Sequence, residues 1–401
     1  MQTLEVKMNE QKQYFFDSYV TEFQANIIEV TPYKDKFAII LDESYFYPES
    51  GGQPSDLGVI NNTKIEYATE QNGKVLHIAQ NSLSIGPANC QINWSHRYDN
   101  MQQHSGQHIL SACFYKLYNG ETSSFHIGKD SSTIEIGVES FDNDMTEKIE
   151  ALANRIVFSN SAISARIVDK ETIAEIPLRK QPGVESNIRI ITIEDCDYSP
   201  CGGTHVRKTG EIGLIKIKRL EKLKNSYKFE FVCGYRALKD YTNKNYLVNK
   251  LGSHLSTPEQ EIESAYLKFT EDYKSLQKQI SQLRNELVHY DVQQLQQNPL
   301  NINGISVIMN LFENRDFNDV KLISQALIAN PSTIALLAAK AQNCQLIFAR
   351  SENVETNMNN LLKAILPLLN GKGGGSPKAA QGGGVGDAEA ALMAAIDILK
   401  A

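Results

Sequence analysis

Short apolar runs separated by turn residues dominate the first quarter of the chain. Residues 26–31, 36–41 and 73–78 are clustered or alternating apolar positions over lengths typical of strands. Successive side chains of a strand point to opposite faces, so these runs predict paired, half-buried strands. We expect a β-barrel-like N-terminal domain over residues 1–95.

The pattern then changes to alternating helical and strand periods over residues 96–245. Residues 101–117 have the spacing of an amphipathic helix, and residues 144–159 predict a second helix. The strands predicted in this part are 131–138, 188–193 and 214–217. Together they indicate an α+β domain.

A different apolar repeat follows over residues 246–300. Its steps alternate between four and three residues, which is the period of a coiled-coil seam. The positions are Ile262, Tyr266, Phe269, Tyr273, Leu276, Ile280, Leu283 and Leu287. Either an antiparallel helical hairpin or the seam of a homodimer would account for this repeat.

The last segment, residues 301–401, again alternates strands with helices and predicts a small C-terminal α/β domain. The predicted fold class is therefore α+β, with a barrel-like domain, an α+β core, coiled-coil helices and the α/β domain in that order. Residues 371–384 are rich in glycine and do not match a phosphate-binding P-loop. They predict either a flexible linker or a segment whose backbone N–H groups, with Lys372 and Lys378, bind nucleic-acid phosphates.

Composition narrows the class of protein. The 401 residues carry a formal net charge of −7 and are 41% hydrophobic, as in an ordinary soluble protein. No apolar run reaches the roughly 18 residues that a membrane span needs, and the first residues lack the apolar core of a signal peptide. The six cysteines are scattered rather than arranged as a disulfide framework. We expect a cytoplasmic protein with reduced thiols and no membrane partner.

Two pairs of residues have the chemistry of a metal site. His104 and His108 are four residues apart in the predicted helix, and Cys201 and His205 have the same spacing around two glycines. One helical face can present both imidazoles, and a glycine-containing loop could curl the second pair around the same ion. Three imidazoles and one thiolate suit tetrahedral Zn²⁺. The alternative is that the histidines cap a helix and Cys201 is a small buried apolar residue.

These motifs, with their neighbours, give a resemblance to a known family. Residues 46–56, 101–110 and 199–206 resemble the AlaX family, free-standing homologues of the editing domain of alanyl-tRNA synthetase. The glycine-rich end resembles the C-terminal domain, associated with DHH proteins, that follows a coiled coil in that synthetase and in long AlaX proteins. Order and spacing agree along nearly the whole chain.

The resemblance implies a function and a set of residues. It implies hydrolysis of the ester that joins a wrong amino acid, chiefly serine and perhaps glycine, to tRNA(Ala). The four residues His104, His108, Cys201 and His205 match the zinc ligands of the family, with one Zn²⁺ per chain. Gly51, Gly52 and Gln53 match its glycine-rich motif near the aminoacyl end, and Ser44 falls where a threonine hydroxyl distinguishes serine from alanine.

The remaining candidates follow from general chemistry. An aminoacyl ester is already activated, so its hydrolysis needs a positioned water and a stabilised oxyanion more than a strong nucleophile. Gln53 and Gln107 are candidates for holding substrate or water, and His126 is a candidate polar neighbour. Zinc with an open position would activate water, whereas zinc with four protein ligands would be closed.

Two other functions remain compatible with the sequence. One is a zinc-stabilised tRNA-binding protein without catalysis. The other is a zinc hydrolase or deaminase for a small molecule, although the Cys-x-x-Cys of nucleobase deaminases is missing.

Overall fold

The computed structural model describes residues 12–183, 188–341 and 343–401 and divides the chain into two compact units. The first unit is Met1–Lys250 and the second is Leu251–Ala401. The prediction that the first residues form no signal peptide concerns residues outside the described ranges. No helix in the described part of the chain has both the length and the apolar character needed to cross a bilayer.

A closed six-stranded barrel opens the first unit, as predicted. Its strands are β1 (Glu22–Tyr33), β2 (Lys36–Leu41), β3 (Gly58–Ile60), β4 (Thr63–Gln71), β5 (Lys74–Ala79) and β6 (Gly86–Ile92). They pair in the order β1-β2-β5-β4-β3-β6, with β1 closing against β6. Apolar side chains such as Ile27, Ile39 and Ile65 are buried in its core, and this burial explains the alternation of apolar and polar positions in the sequence.

The rest of the first unit consists of helices and two antiparallel sheets. The elements are α1 (Trp94–Tyr118), β7 (Glu121–Ile127), β8 (Ser132–Gly137), α2 (Asn143–Phe158), β9 (Ile163–Val168), α3 (Lys170–Ile173), β10 (Ile188–Ile193), β11 (Asp197–Pro200), β12 (Ile215–Lys222), β13 (Tyr227–Cys233) and α4 (Gly234–Leu255). One sheet has the order β11-β10-β9 and the other β12-β13-β8-β7. The chain is thus a mixed α+β protein with an N-terminal barrel.

Helix α1 corrects one expectation. The apolar spacing predicted an amphipathic helix, but every residue from Asn100 to Phe114 is buried. Eight of these are polar or imidazole side chains whose burial requires hydrogen-bond partners: Asn100, Gln102, Gln103, His104, Ser105, Gln107, His108 and Ser111. A helix that is polar and yet buried on all sides is unusual, and its polar side chains mark the candidate site.

The second unit contains a long helix and one mixed sheet. Its elements are α5 (Ile262–Leu295), β14 (Leu300–Ile302), β15 (Ile305–Glu313), α6 (Phe317–Leu327), β16 (Thr333–Lys340), β17 (Cys344–Arg350), α7 (Met358–Ile365), β18 (Lys372–Gly375), β19 (Ala379–Gly384) and α8 (Ala388–Lys400). The sheet order is β14-β15-β16-β17-β19-β18, with β15 and β16 parallel. Strands β18 and β19 form an antiparallel hairpin, so the expectation of a flexible linker at residues 371–384 was wrong.

The seam predicted from the apolar repeat lies along α5. Its side chains from Tyr266 to Leu287 are 51–60% exposed, although they follow one face of the helix. Further along, Val288 and Val292 are buried in a cluster with residues of α6 and the sheet. The end of α5 is therefore anchored in the second unit, while the repeat itself remains exposed in the single chain.

Candidate metal centre

Four side chains from two distant segments converge inside the first unit. The ligand atoms of His104, His108, Cys201 and His205 all lie within 4.8 Å of one another. The Cys201 Sγ atom is 3.3 Å from Nε2 of His104 and 3.4 Å from Nε2 of His205. A tetrahedral zinc site with usual bond lengths separates sulfur and nitrogen ligands by about 3.5 Å. The cluster could therefore hold a metal ion, and its spacing and donor set fit zinc.

Each histidine ring is oriented through its second nitrogen. Nδ1 of His104 lies 2.6 Å from Oε1 of Gln53, and Nδ1 of His205 lies 3.1 Å from Oγ of Ser105. Nδ1 of His108 lies 2.9 Å from a carboxylate oxygen of Asp197. The oxygens of Gln53 and Asp197 can only accept, so they favour the tautomers of His104 and His108 that leave Nε2 free for a metal, while Ser105 holds the ring of His205 in place. The arrangement argues against simple helix capping by the histidines.

Asp197 is a functional candidate that the sequence reasoning missed. Its carboxylate is 2% exposed and also accepts hydrogen bonds from Arg179 at 2.7 Å and from Ser199 at 2.8 Å. Burial alone would raise the pKa of Asp197, but the hydrogen bonds from His108 and Arg179 outweigh it and lower the pKa. Asp197, Ser199 and Cys201 alternate along the chain, and this period-two spacing was the available signal.

Asp197→Asn is expected to weaken metal binding by about 10- to 100-fold, because the amide has no negative charge and only one accepting oxygen for His108, Arg179 and Ser199. The measurement is competition for the metal with a chelating dye. Asp195→Asn is the matched control, since Asp195 is exposed two residues away in a turn. Equal metal affinity in wild type and Asp197→Asn would refute the orienting role of Asp197.

Electrostatics prepare the second pair for ligation. Burial would raise the pKa of the Cys201 thiol, but the neighbouring His104 and the hydrogen bonds from His104 and His108 hold that pKa well below its usual range. Burial lowers the pKa of His205 to about 3, so its ring is neutral at physiological pH. A thiolate and a neutral imidazole are the forms that bind metals.

Hydrogen bonds from Arg189 hold the loop that carries Cys201. The Arg189 guanidinium donates to the carbonyl oxygens of Cys201 at 2.9 Å and Gly203 at 2.8 Å, and it lies over the ring of Phe15. The glycines act differently from the expectation, because neither Gly202 nor Gly203 has a positive φ. Gly203 instead allows the loop to pass close to the ring of His104.

A cavity of about 470 Å³ opens onto the metal ligands. His104, His108 and Cys201 form part of its wall. The other polar side chains around it are those of Tyr47, Ser50, Gln107, Thr122, Ser123, Ser124, Arg179, Lys180 and Ser199. The cavity combines candidate metal ligands, hydroxyl groups and two cations in one place.

The glycine-rich loop after β2 contributes to this cavity. Gly51 lies in its wall, whereas Gly52 packs against β7, where its carbonyl accepts from the N–H of Ile127 at 2.8 Å. Gly52 has a φ of +85°, and a Cβ there would lie 2.1 Å from the carbonyl oxygen of Phe125. The close approach predicted at this glycine is therefore to the protein's own strand. Gln53 is fully buried, and its amide also contacts Thr204, so it touches His104 rather than the cavity.

Four predicted residues are not among those that line the cavity. The Ser44 hydroxyl is 2.7 Å from Nε2 of the buried His77 and accepts from the backbone N–H of Phe46. His126 is an exposed residue of β7. In the second unit, Lys378 forms an ion pair with Glu352, and Lys372 is exposed at the start of β18. The roles assigned to these residues stay predictions.

Comparison with known proteins finds relatives among alanyl-tRNA editing proteins and tRNA synthetases. A family model described as the threonyl and alanyl tRNA synthetase second additional domain matches residues 188–227, which include Cys201 and His205. The alanyl-tRNA editing protein AlaX-L of Pyrococcus horikoshii is 36% identical over 397 residues, covering 92% of this chain and 93% of the relative. The mouse alanyl-tRNA editing protein Aarsd1 is 28% identical, covering 91% and 92%.

Two further similarities concern the synthetase. An alanine–tRNA ligase of Pyrococcus abyssi is 28% identical over 92% of this chain, which spans 41% of the ligase. The solved C-Ala domain of alanyl-tRNA synthetase from Aquifex aeolicus is 20% identical, with a TM-score of 0.23, and the match covers 26% of this chain and 95% of that one. The match to full-length editing proteins covers nearly all of both chains, whereas the ligase is more than twice as long as its matched part.

Proposed function

The chain belongs to the AlaX family of alanyl-tRNA editing proteins, and on that premise we propose that it is an aminoacyl-tRNA deacylase acting on mischarged tRNA(Ala). Its proposed substrates are chiefly Ser-tRNA(Ala) and, second, Gly-tRNA(Ala). One observation carries the proposal: His104, His108 and Cys201 of the His₃Cys cluster line a polar cavity in a chain of this family. A volume of about 470 Å³ lies within the usual range of small-ligand sites and would admit an aminoacyl-adenosine end.

The proposed reaction is simple hydrolysis. The oxygen of water forms a bond to the ester carbonyl carbon, and the bond from that carbon to the ribose oxygen breaks. The ribose oxygen takes up a proton, which gives free serine and uncharged tRNA. We propose Zn²⁺ as the ion held by His104, His108, Cys201 and His205. When bound, it supplies positive charge at the wall of the cavity, which stabilises negative charge on a nearby ester oxygen.

The chain's own groups would bind and orient the substrate. Arg179 and Lys180 place two cations beside the cavity, where they could hold the terminal phosphate of the tRNA. The pairing of Arg179 with Asp197 leaves Lys180 as the freer of these two charges. Gln53 lies in the same loop as Gly51 and contacts His104, so it would hold this loop in a fixed position relative to the metal ligands.

Gln107 is the proposed contact for the substrate hydroxyl. Its Nε2 donates to Oγ of Ser111 at 2.7 Å, and Thr122 donates to the same oxygen at 2.7 Å. Among the described residues, Oε1 of Gln107 has no hydrogen-bond partner, and the side chain lines the cavity. An acceptor without a partner suits the hydroxyl of serine, which alanine and glycine lack. The proposed role of Ser44 in the same discrimination would require its hydroxyl to leave His77.

Hydrolysis of three substrates tests the proposed function. The metal-loaded full chain is incubated with Ser-tRNA(Ala), Gly-tRNA(Ala) and Ala-tRNA(Ala), and amino-acid release is followed. We expect fast release of serine, slower release of glycine and little release of alanine. Absence of serine release, with tRNA binding retained, would favour a non-catalytic tRNA-binding protein. Equal release of all three would refute the specificity.

Gln107→Met is expected to lower kcat/KM for Ser-tRNA(Ala) by about fivefold, since one hydrogen bond to the serine hydroxyl is worth about 1 kcal/mol. Gly-tRNA(Ala) is the internal control, because it has no hydroxyl to lose. Its kcat/KM should change little. An equal fall for both substrates would mean that Gln107 supports the site without recognising the hydroxyl.

The second unit supplies a proposed contact for the body of the tRNA. Strand β18 is the edge strand of its sheet, and the exposed Lys372 begins it. An edge strand with few side chains would let an RNA backbone approach closely.

We also propose that the exposed face of α5 forms the seam of a homodimer, which sedimentation equilibrium would detect.

A further inference from the structure

A second and larger cavity lies in the first unit, and it shares no wall residue with the metal cavity. Its volume is about 1140 Å³. The side chains around it come mainly from the start of α1 and the start of α4, at Trp94 and Tyr235 for example. We refer to this cavity as the aromatic cleft. Nothing in the proposed deacylation uses it.

Four aromatic rings form a continuous ladder beside the cleft. The ring centroids of Tyr19 and Trp94 are 5.2 Å apart, those of Trp94 and Tyr98 are 5.0 Å apart, and those of Tyr98 and Tyr235 are 6.5 Å apart. Tyr235 is 67% exposed, although it is a large aromatic side chain. A ladder that ends in an exposed ring offers a face on which another planar ring can stack.

The charges around the cleft are balanced. Four cations, Lys129, Lys218, Arg236 and Lys239, face four carboxylates, Asp99, Asp130, Glu211 and Asp240. Most of the carboxylates have partners of their own. Arg236 binds Asp99, Lys218 binds Asp240, and Tyr19 donates to Glu211. Because the lining carries no net formal charge, the cleft suits a neutral ring better than a cluster of phosphates.

Polar side chains at the opening of the cleft can form hydrogen bonds with the edge of such a ring. Asn93 and Asn243 contribute amides, and both are exposed at the cleft. Amide and carboxylate groups are suited to the donor and acceptor pattern of a nucleobase edge. Aromatic stacking together with edge hydrogen bonds is the usual way in which proteins bind unpaired RNA bases.

We infer that the aromatic cleft binds an unpaired nucleobase of single-stranded RNA, stacked on Tyr235 and the ladder behind it. This inference rests on the proposed function only in that an RNA substrate would bring such a base to the chain. The cleft and the metal site share one helix, because Trp94 begins α1 and His104 follows ten residues later. At the rise of an α-helix this is about 15 Å along the axis. A short single strand leading to the metal cavity could reach the cleft.

Trp94 makes the inference directly measurable, because it is the only tryptophan of the chain and belongs to the ladder. The full, metal-loaded chain is titrated with adenosine and with the trinucleotide ApApA. Excitation at the red edge of tryptophan absorption avoids the bases. We expect saturable quenching by both compounds and none by ribose 5-phosphate, which has no base. No quenching by adenosine and ApApA, or equal quenching by ribose 5-phosphate, would overturn the inference.

Substitutions locate the binding. Tyr235→Ala should raise the apparent Kd for ApApA about fivefold or more, because about 1 kcal/mol of stacking is lost. Tyr235→Phe should keep wild-type affinity, since the ring face remains. Tyr246→Ala is the matched control, because Tyr246 is a 68% exposed residue of α4 outside the cleft. Unchanged affinity in Tyr235→Ala would place the base elsewhere. Since ApApA carries no amino acid, this outcome is independent of deacylation.

Discussion

Gly203→Ala is expected to lower the kcat/KM for Ser-tRNA(Ala) deacylation by about 100-fold and to reduce bound metal, while Gly202→Ala leaves both close to wild type. Displacement of a reacting group by about 1 Å can cost this much. The two glycines are adjacent in the loop between the ligands Cys201 and His205. They therefore form a matched pair with the same change in backbone entropy.

The difference between the two positions is steric. A Cβ on Gly203 would lie 2.1 Å from Cε1 and 2.4 Å from Nδ1 of His104. The ring cannot rotate away without losing its hydrogen bond to Gln53 and its ligand position. The loop cannot retreat easily either, because Arg189 holds the carbonyl of Gly203. A Cβ on Gly202, in contrast, would meet nothing closer than the ring of Phe15 at 3.8 Å.

Metal content by atomic emission and single-turnover deacylation measure the two effects. Loss of both in Gly203→Ala and of neither in Gly202→Ala is the expected result. If Gly203→Ala kept full metal content and full activity, the packing of the loop against His104 would not be needed for the site. If Gly202→Ala failed equally, a general loss of loop flexibility would explain the effect better than the steric contact.

The fold was predictable where one periodicity dominated a segment. The strands predicted over residues 36–41 and 188–193 coincide with β2 and β10, because each is a short apolar run between turns. Helix α1 was found, but its burial was not. Its polar residues would normally face solvent, but segments distant in sequence, such as those of Gln53, Asp197 and Cys233, give many of them partners.

The glycine-rich hairpin could not be identified from composition. Glycine is unfavourable inside strands, so residues 371–384 suggested a linker. In the structure a Cβ on Gly373 would lie 2.4 Å from Cα of Gly382, and one on Gly384 would lie 2.1 Å from the carbonyl oxygen of Leu369. The backbones approach too closely for side chains, and this reason exists only in three dimensions.

The metal ligands were predictable from spacing, but their partners were not. His104, His108, Cys201 and His205 stand in two regular pairs that a reader of the sequence can recognise. Gln53 and Asp197 are 51 and 89 residues from the histidines that they contact. A hydrogen bond across such a separation depends on how the barrel loop and β11 pack around α1, which no local pattern encodes.

Arg97→Met is expected to destabilise the first unit by about 3–5 kcal/mol, the usual cost of leaving one charge of a buried ion pair without its partner. Arg97 and Asp56 have side-chain exposures of 0% and 1%. The guanidinium binds both carboxylate oxygens of Asp56 and donates to the carbonyls of Ser18 at 2.7 Å and Tyr45 at 2.6 Å. It thus joins α1 to the barrel loop and to the segment before β1.

The ion pair between Arg97 and Asp56 also supports the metal centre, because Asp56 lies at the end of the loop whose Gln53 contacts His104. Urea unfolding followed by the fluorescence of Trp94 measures the loss, since Trp94 lies three residues before Arg97 on α1.

Lys148→Met is the control. Its ion pair with Asp144 is 62% and 69% exposed, so its loss should change the free energy of unfolding little. The double variant Arg97→Met with Asp56→Asn should recover part of the stability, because it removes the unpaired charge. A loss below about 1 kcal/mol in Arg97→Met, or a double variant less stable than the single one, would show that the uncompensated carboxylate is not the cause. In that case packing of the long side chain, rather than its charge, would hold α1 against the barrel.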